Sequence, residues 1–380
     1  MKKIMIIFGT RPEAIKMAPL VKAIEQNKNL EANIVITAQH REMLDSVLEI
    51  FAVQPHHDLN IMKKNQTLAE LTSRALIKLD EVIKEEKPDI VLVHGDTTST
   101  FVGSLAAFYN QVPVGHVEAG LRTGNKYSPF PEELNRLMVG NMAELNFAPT
   151  QKAAENLILE NKVKDSIYVT GNTAIDALKT TIQKDYVSET ISKYKDKQIL
   201  LLTAHRRENI GEPMHHIFKA VRDIADEYPD LVVVYPIHKN PKVREIASEY
   251  LKGHNRIELI EPLDVLDFHN FANQSHLILT DSGGVQEEAP SLGKPVLVLR
   301  DNTERPEGVK AGTLKVIGTE YDSIMRETKR ILDNKEAYQQ MSKASNPYGD
   351  GNTSQRICEI IEYYFGIRNK KPEEFLNNVQ

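Results

Sequence analysis

The chain alternates short apolar runs with longer segments in which apolar residues recur at helical spacing. In the N-terminal half the apolar runs are IMIIF, IVIT, IVLVHG, VPVGHVE and LNFAPT, and the helical segments that follow them are 12–26, 41–51, 99–109, 132–143 and 151–161. Buried strands that alternate with helices are typical of a parallel sheet covered on both faces. The first half therefore predicts an α/β, doubly wound sheet.

A second series of the same kind follows, with the apolar runs QILLLTAH, LVVVYPIH, RIELIEP, LILTDSGG and KPVLVLR. Two series predict two Rossmann-like, doubly wound domains that face each other across a cleft. Because the polar stretch 184–198 separates the series, we place the boundary near residue 170, which gives domains 1–170 and 171–361. The last segment, 362–380, is expected to be a helix that packs back on the first domain.

Length and composition narrow the class of protein. A chain of 380 residues exceeds one ordinary core, and 41% hydrophobic with 26% charged residues is typical of a soluble globular protein. A net charge of −6 argues against a nucleic-acid partner, and no apolar span of 18 residues indicates a membrane segment. The one cysteine, Cys358, excludes an intramolecular disulfide and a cysteine-based zinc site and fits a reducing compartment, so we expect a cytoplasmic protein.

The first polar turn, FGTRPEAIK, follows the first predicted strand, where open α/β sheets bind ligands. Thr10 and Glu13 are expected to form a capping box, which leaves Arg11 as a guanidinium suited to phosphate. The alternative for Arg11 is an ordinary surface arginine. The turn lacks G-x-G-x-x-G, which argues against NAD in the first domain.

Three carboxylates follow consecutive strands of the first domain: Asp96 in VHGDTTST, Glu118 in GHVEAGLRT and Glu132 in PFPEELNR. We expect them to converge and to raise one another's pKa, which suits acid and base chemistry near neutral pH. For Asp96 the alternative is an N-cap role for the next helix. A metal site is the rival for the set, but the chain has no metal-ligand spacing that supports it, so we expect no metal.

The second domain offers cations and a glycine turn. His205, Arg206 and Arg207 follow a strand in LLTAHRRENIG and favour an anion, with pairing of the arginines to Glu208 as the alternative. In DSGGVQEEAP the backbone N–H groups of a helix start, with the Ser282 hydroxyl, suit a phosphate. Glu287 and Glu288 come next, and a carboxylate there matches the neutral hydroxyl groups of a ribose. The ligand is therefore expected to be a nucleotide.

These residues resemble the non-hydrolysing UDP-N-acetylglucosamine 2-epimerases, which share the two-domain GT-B architecture. The resemblance covers nearly the whole chain and rests on the motifs GTRPEAIKMAPL, VHGDTTST, GHVEAGLRT, PFPEELNR, TGNTAIDAL, TAHRRENIG, DSGGVQEEAPSLGKPVLVLR, TERPEG and NPYGDGNTSQRI. It implies interconversion of UDP-GlcNAc and UDP-ManNAc without NAD or an obligatory metal. It also implies a homodimer whose product feeds cell-wall polymers, teichoic acids or capsules.

The resemblance assigns roles to individual positions. It implies Asp96, Glu118 and Glu132 as catalytic carboxylates and His205 as an essential histidine. The substrate-binding positions that it implies are Arg11, Lys16, Arg206, Phe268 beside the uracil, Ser282, Gly283 and Gly284 at the phosphate, and Glu288 at the ribose. Without the resemblance, Phe268 is simply part of an apolar helix face.

Some relatives bind a second UDP-GlcNAc as an activator, and the resemblance places Gln39, Glu132, Arg206 or Arg207, and His238 at that site. Glu42 and Asn65 differ from the Gln and Arg expected there. Three rival functions use similar residues: a GT-B glycosyltransferase, a hydrolysing epimerase that releases free ManNAc, and a nucleotide-sugar sensor without catalysis. The three carboxylates argue against a sensor, because binding alone does not require them.

Overall fold

The computed structural model describes residues 1–38, 41–63 and 65–376, except for the side chains of residues 41–43. The chain divides into two compact units, one formed by residues 1–180 together with 348–376 and the other by residues 181–347. Each unit contains one sheet, and the strand pairings in both sheets are parallel. The predicted α/β class with two Rossmann-like, doubly wound domains is confirmed.

The strands of the first sheet are β1 (Lys2–Phe8), β2 (Leu30–Ile36), β3 (His57–Asp58), β4 (Ile90–His94), β5 (Val114–Val117), β6 (Leu145–Ala148) and β7 (Ile167–Val169). Those of the second sheet are β8 (Gln198–Thr203), β9 (Leu231–Pro236), β10 (Ile257–Ile260), β11 (Leu277–Thr280), β12 (Val296–Val298) and β13 (Leu314–Val316).

The helices that precede β8 in the chain are α1 (Arg11–Glu25), α2 (Arg41–Ile50), α3 (Leu68–Glu86), α4 (Thr98–Tyr109), α5 (Glu132–Met142), α6 (Gln151–Leu159) and α7 (Thr173–Thr181). Those that follow in the chain are α8 (Glu189–Lys193), α9 (Glu212–Glu227), α10 (Pro241–Leu251), α11 (Val265–Gln274), α12 (Gly283–Glu288), α13 (Pro306–Lys310), α14 (Tyr321–Asp333), α15 (Lys335–Ser342) and α16 (Thr353–Tyr364). Within the described part of the chain, no helix combines the length and apolar content needed to cross a membrane.

The order of strands reverses once in each sheet. The first sheet runs β3-β2-β1-β4-β5-β6-β7 and the second β10-β9-β8-β11-β12-β13. Neighbouring connections leave toward opposite faces where β1 lies beside β4 and where β8 lies beside β11. In folds of this class such a reversal leaves room for a ligand outside the carboxyl ends of the strands.

The central strands are buried on both faces, which explains their nearly continuous apolar runs. In β1 the residues from Ile4 to Phe8 have no exposed surface, and Leu200 to Leu202 in β8 have none either. Burial of one such side chain stabilises the fold by about 1.5–3 kcal/mol. Each unit therefore has an apolar core of its own, which agrees with the division of the chain into two units.

Some elements of the fold were not predicted. The sequence interpretation passed over α3, although Thr67 and Glu70 form a capping box at its start and Leu71, Ala75 and Leu79 bury one face. It also did not assign β3, β7 and β13, because strands of two or three residues are too short to show a period.

The two units divide after residue 180, whereas the sequence placed the boundary near 170. Helix α7 stays with the first unit because the Asp176 carboxylate accepts hydrogen bonds from the N–H groups of Thr353 and Ser354 at the start of α16. The chain returns to the first unit at residue 348, ahead of the expected 362. The helix expected over 362–380 is not formed, because α16 ends at Tyr364, before Gly366 with its φ of +68°, and residues 365–376 are not helical. Helix α16 packs against α1.

Gly9, directly after β1, should be intolerant of any side chain. A Cβ atom there would lie 2.0 Å from Thr37 Oγ1 and 2.5 Å from Ser99 Oγ, two buried hydroxyl groups that are hydrogen-bonded to each other at 2.7 Å. We expect Gly9→Ala to lower the free energy of unfolding by about 1–3 kcal/mol, measured by urea denaturation. Gly140→Ala in α5, where the nearest atom would be 3.5 Å away, is the control and should be neutral or stabilising. Equal effects of the two changes would contradict this account of the turn.

Candidate functional site

A buried carboxylate fixes the turn after β1. Glu13 Oε2 accepts hydrogen bonds from the N–H groups of Gly9 (3.1 Å) and Thr10 (2.8 Å), and its Oε1 accepts from the Thr97 hydroxyl (2.7 Å). The predicted capping box of Thr10 and Glu13 is present. Burial raises the pKa of Glu13, and these hydrogen bonds oppose that rise. Because Thr97 caps α4, one side chain joins the starts of α1 and α4.

Glu118 lies at the carboxyl end of β5 in a strained backbone conformation. Its φ of +64° is unusual for a residue with a side chain and costs on the order of 1–3 kcal/mol. Its Oε1 forms an ion pair with Lys16 Nζ and accepts a hydrogen bond from Asn172 Nδ2 (2.9 Å). The side chain is only 10% exposed. The surrounding structure thus holds this carboxylate in one orientation.

Two neutral histidines lie beneath the carboxylates. Burial lowers the pKa of both His94 and His116 to about 4. His94 Nε2 lies 3.6 Å from Glu118 Oε2, and His116 Nε2 donates a hydrogen bond to the Gly95 carbonyl (2.7 Å). The charges of Glu118 and Asp96 both act on His94, so these two carboxylates flank the same imidazole.

Asp96 is held by an arginine that the sequence interpretation did not include. Its Oδ2 accepts from Arg136 Nε at 2.8 Å, and its carbonyl accepts from Asn135 Nδ2 at 2.8 Å. The alternative that Asp96 caps α4 is wrong, because the N-cap is Thr97, whose hydroxyl accepts the Thr100 N–H. Asp96 therefore keeps its carboxylate beside a cation and not at a helix start.

Glu132 begins α5 and lies one helical turn before Arg136, so the two share a face of the helix. Among the residues that the structure describes, its carboxylate has no hydrogen-bond or ion-pair partner. Its neighbour Glu133 differs: it is buried and accepts from the N–H groups of Thr123 (2.9 Å) and Gly124 (3.0 Å) and from Arg136 Nη1 (2.9 Å). Although burial opposes ionisation, these bonds lower the pKa of Glu133.

The structure changes the expectation that the three carboxylates act mainly on one another. Glu118 contacts Lys16 and Asp96 contacts Arg136, so each of these two has a cationic partner. Glu132 lies on the same helix, α5, as Arg136, the cation that contacts Asp96. Arg11 is the half-exposed first residue of α1, five positions before Lys16.

In the second unit, a fully buried aspartate organises the loop after β8. Asp281 Oδ2 accepts hydrogen bonds from the backbone N–H groups of His205 (2.8 Å) and Arg206 (2.8 Å) and from Asn209 Nδ2 (3.1 Å). The His205 ring stacks on the exposed His238 ring, with centroids 5.3 Å apart. Burial lowers the pKa of His205, and the Asp281 charge opposes that shift.

Two arginines flank the glycine turn after β11. A Cβ atom on Gly283 would lie 3.6 Å from an Nη2 atom of both Arg206 and Arg305. Ser282 is the N-cap of α12, but its hydroxyl accepts no capping hydrogen bond. The alternative in which the arginines after β8 pair with Glu208 is wrong, because Glu208 pairs with Arg300 (3.1 Å).

The two adjacent glutamates of α12 have different partners. Glu287 is buried and forms an ion pair with Arg305. Glu288 Oε2 lies 3.3 Å from His269 Nε2, and its Oε1 approaches the position that a side chain at Gly284 would take (3.9 Å). Glu288 is therefore the glutamate that borders the glycine turn. Phe268 is half-buried and packs on the apolar cluster behind the sheet.

Four contributing residues were missed from the sequence: Asn172, Arg136, Arg305 and His269. Asn172 follows β7, a strand too short to be recognised, and the other three lie on helices or helix starts. A search for charged side chains one turn beyond a candidate carboxylate would have found Arg136, which is four residues after Glu132. Nothing in the local sequence links Arg305 to the turn at 282–284.

The positions expected at a second, activating site are only partly described. Gln39 and the side chain of Glu42 lie outside the described residues. Arg207 is exposed, and Asn65 has a φ of +58°. Of this set, the structure brings His238 into contact with another candidate residue, His205.

Together these groups define two chemical environments. The first unit presents oriented carboxylates beside neutral imidazoles, which suits proton transfer to and from carbon or oxygen. The second presents arginines, a histidine and a helix start around a glycine turn, which suits an anion such as a diphosphate. Within residues 1–38, 41–63 and 65–376 we find no group of three or more His, Cys, Asp or Glu side chains arranged to hold a metal ion.

Comparison with known proteins identifies relatives across the whole chain. The family model for UDP-N-acetylglucosamine 2-epimerase matches residues 22–362. A Bacillus subtilis protein named UDP-N-acetylglucosamine 2-epimerase is 61% identical over 373 residues, covering 98% of this chain and 98% of its own.

Solved structures agree. The S. aureus protein MnaA, solved with UDP, is 62% identical with a TM-score of 0.91, covering 99% of this chain and all of that one. The UDP-GlcNAc 2-epimerase of Neisseria meningitidis, solved with UDP-GlcNAc, is 47% identical with a TM-score of 0.86, covering 95% of this chain and all of that one. The predicted fold and family resemblance are confirmed.

The buried histidines should make stability depend on pH. Because the folded-state pKa of His116 (about 4) is below the unfolded value near 6.5, the unfolded chain binds more protons between these values, and stability falls as pH falls. Between pH 7 and pH 5 this histidine should account for a loss of about 2 kcal/mol.

Urea denaturation at pH 7 and pH 5 measures the effect. His116→Gln keeps an N–H donor for the Gly95 carbonyl and should reduce the pH-dependent loss by that amount. Gln54→Ala, at an exposed and uncharged residue of the same unit, is the control and should leave the pH-dependent loss unchanged. A His116→Gln variant with the full wild-type loss would show that His116 is charged in the folded protein.

Proposed function

This chain belongs to the UDP-N-acetylglucosamine 2-epimerase family, and we propose that it interconverts UDP-GlcNAc and UDP-ManNAc by inverting C2 of the sugar. The observation that carries the proposal is the set of oriented carboxylates at the carboxyl edge of the first sheet, of which Glu118 is the most tightly held. A protein that only bound the nucleotide-sugar would not need them.

The chemistry explains why both carboxylates and an anion site are needed. The C2 proton is far too weakly acidic for a side-chain base, because no carbonyl group is next to it. We propose that the C1–O bond breaks first, so that UDP leaves with the electron pair and C1 gains oxocarbenium character. A carboxylate then takes the C2 proton, which gives 2-acetamidoglucal and bound UDP. Return of UDP with protonation of C2 from the opposite face yields the epimer.

The proposed roles in proton transfer fall to Asp96, Glu118 and Glu132. Glu118 and Asp96 both act on His94, and the ion pairs with Lys16 and Arg136 orient their carboxylates. Glu132 has no hydrogen-bond or ion-pair partner among the described residues, so no contact of this kind fixes its carboxylate.

The proposed roles in binding follow the contacts of the glycine turn. Gly283 and Gly284 allow the backbone to approach the diphosphate, with Ser282 as a further donor and Arg206 beside it. His205, Arg11 and Lys16 would stabilise the negative charge of the leaving group. Each such donor contributes on the order of a few kcal/mol to the transition state.

Glu288 and Phe268 complete the proposed nucleotide site, with Glu288 accepting from the ribose hydroxyls and Phe268 beside the uracil. His269 supports this role for Glu288, because it fixes one carboxylate oxygen and its own Nδ1 is hydrogen-bonded to the Thr181 hydroxyl (2.7 Å). Arg207 and His238, with Gln39, are candidates for a second UDP-GlcNAc site.

We further propose that the enzyme is cytoplasmic and supplies ManNAc units for cell-wall polymers, teichoic acid or capsule. This rests on the family resemblance and on the nature of the substrates, which are cytoplasmic nucleotide-sugars in polymer synthesis.

A homodimer is also proposed, through the outer faces of α3 and α4. Ile77, Phe108 and Tyr109 are each about 60% exposed. They lie close together, since Asn110 Nδ2 donates to Asp80 Oδ1 (2.8 Å) between the same helices. Adjacent exposed aromatic and aliphatic side chains favour a protein partner, and a second copy is the simplest one.

The proposed reaction is tested by incubating the protein with UDP-GlcNAc in D₂O, without added NAD or metal, and following the C1 and C2 signals by proton NMR. We expect UDP-ManNAc with deuterium at C2. Free ManNAc with UDP would indicate a hydrolysing epimerase, and intact UDP-GlcNAc would favour a transferase or a sensor.

The same assay tests the carboxylates. Asp96→Asn, Glu118→Gln and Glu132→Gln should each lower kcat by roughly 10²-fold or more if the side chain transfers a proton. Glu155→Gln, at an exposed carboxylate on α6, is the control and should retain full activity. Near-normal turnover in all three variants would rule out the proposed chemistry.

The dimer is tested by size-exclusion chromatography with light scattering. We expect Phe108→Lys to shift a dimer toward monomer, because it places a charge in the apolar contact. Val187→Lys, at an exposed apolar residue of the second unit, should leave the mass unchanged. A wild-type protein that is monomeric at micromolar concentration would contradict this surface as a dimer interface.

A further inference from the structure

The Asp281 carboxylate uses its two oxygens very differently. Oδ2 accepts three hydrogen bonds, from the N–H groups of His205 and Arg206 and from Asn209 Nδ2. Oδ1 is fully buried and, among the residues that the structure describes, receives no hydrogen bond. A buried carboxylate oxygen without a donor is costly, so its surroundings call for an explanation.

The group nearest to this oxygen is the imidazole of His205, whose Nδ1 lies 3.3 Å from Asp281 Oδ1. The ring also stacks on His238, with an angle of 14° between the planes, which limits how far it can turn. The other charged groups that act on His205 are Arg206 and Glu208 from its own loop. Hydrogen bonds of catalytic histidines are often long in the absence of ligand and tighten when the ligand binds.

We propose that Asp281 is a positioning residue that accepts the Nδ1–H of His205 and thereby directs Nε2 toward the bound diphosphate. The proposal rests on the proposed function, because it gives His205 a phosphate to contact. When Asp281 accepts the Nδ1–H, Nε2 is the nitrogen that faces a ligand, and it donates to a phosphate oxygen when the ring is an imidazolium. The charge of Asp281 favours the imidazolium and opposes the burial that lowers the pKa of His205, so the ring can donate to Asp281 and to a phosphate oxygen at once.

In this proposal His205 acts electrostatically. As the C1–O bond breaks, negative charge grows on the diphosphate, and an imidazolium Nε2–H already aimed at it stabilises that charge. No proton has to leave His205 in this step. Asp281 itself contacts neither sugar nor nucleotide in this scheme and acts through the histidine.

Asp281→Asn separates this role from support of the fold. The amide oxygen must take the place of Oδ2, because an NH₂ group there would face three donors. The NH₂ group then takes the place of Oδ1 and points at His205 Nδ1. Nδ1 is forced to accept, and the proton moves to Nε2. The three hydrogen bonds that organise the loop are kept, so we expect the variant to fold.

The tautomer is measured directly by ¹⁵N NMR of histidine-labelled protein, with the His205 signals assigned by their loss in His205→Gln. We expect the Nδ1–H form in the ligand-free wild type, the imidazolium when UDP is bound, and the Nε2–H form in Asp281→Asn. Asp176→Asn, at a buried carboxylate of the other unit that also accepts backbone N–H groups, is the control and should not change the His205 signals. An Nε2–H tautomer in the wild type would overturn the proposal, whatever the enzyme's activity.

Kinetics supply the second readout. In Asp281→Asn, kcat should fall by roughly 10²-fold or more, and its decline on the alkaline side should move to lower pH, because loss of the carboxylate lowers the pKa of His205. In a His205→Gln background the same change should have little further effect, since Asp281 acts through that ring. An equal loss in both backgrounds would mean that Asp281 only supports the fold. Absence of epimerisation in the wild type would instead refute the proposed function. The NMR result would then still decide whether Asp281 fixes the tautomer of His205.

Discussion

Each unit depends on one buried carboxylate at the point where its strand order reverses. Glu13 accepts hydrogen bonds from the N–H groups after β1 and from the hydroxyl of the α4 cap. Asp281, at the end of β11, accepts hydrogen bonds from the N–H groups after β8. Loops at such a reversal leave several backbone donors without partners in the sheet, and burial of those donors unpaired would be unfavourable. A carboxylate accepts several of them at once with charge-assisted strength. Arg11, Asp96, His205 and Arg206 lie on or directly beside the loops that these two residues hold.

The distribution of ion pairs explains how similar folds provide different chemistry. In the first unit, Lys16 and Arg136 pair with the functional carboxylates Glu118 and Asp96 and hold them as ordered bases. In the second unit, the cations are the functional groups. The acidic residue Glu208 is bound to Arg300, so it does not neutralise the arginines after β8. One edge thus offers carboxylates and the other offers cations. This division matches a reaction that moves a proton in one part of the substrate and releases an anion in another.

Two adjacent glutamates next to an anion-binding turn are not a contradiction in this structure. Glu287 is buried against Arg305, so its charge is compensated before a ligand arrives. Glu288 is oriented by His269 and borders Gly284, where neutral hydroxyl groups of a ribose can donate to it. Of the two adjacent glutamates, Glu287 therefore has a structural role and Glu288 a binding role. Only the direction of each side chain from α12 distinguishes them.

The sequence by itself determined the parallel α/β class, the starts of α1, α2, α4, α5 and α6 to within one residue, and the strand ends that carry Asp96, Glu118, His205 and Ser282, because periodicity and capping are local properties of the chain. It also determined the capping box of Thr10 and Glu13 for the same reason. Tertiary structure decided which charges meet: Arg136 with Asp96, Asn172 with Glu118, Arg305 with Glu287, and Asp281 with the loop of His205. Several of these pairs join residues far apart in sequence, and the Arg136 pair depends on how α5 packs against α4. No local pattern specifies such pairs, since they depend on strand order and helix packing.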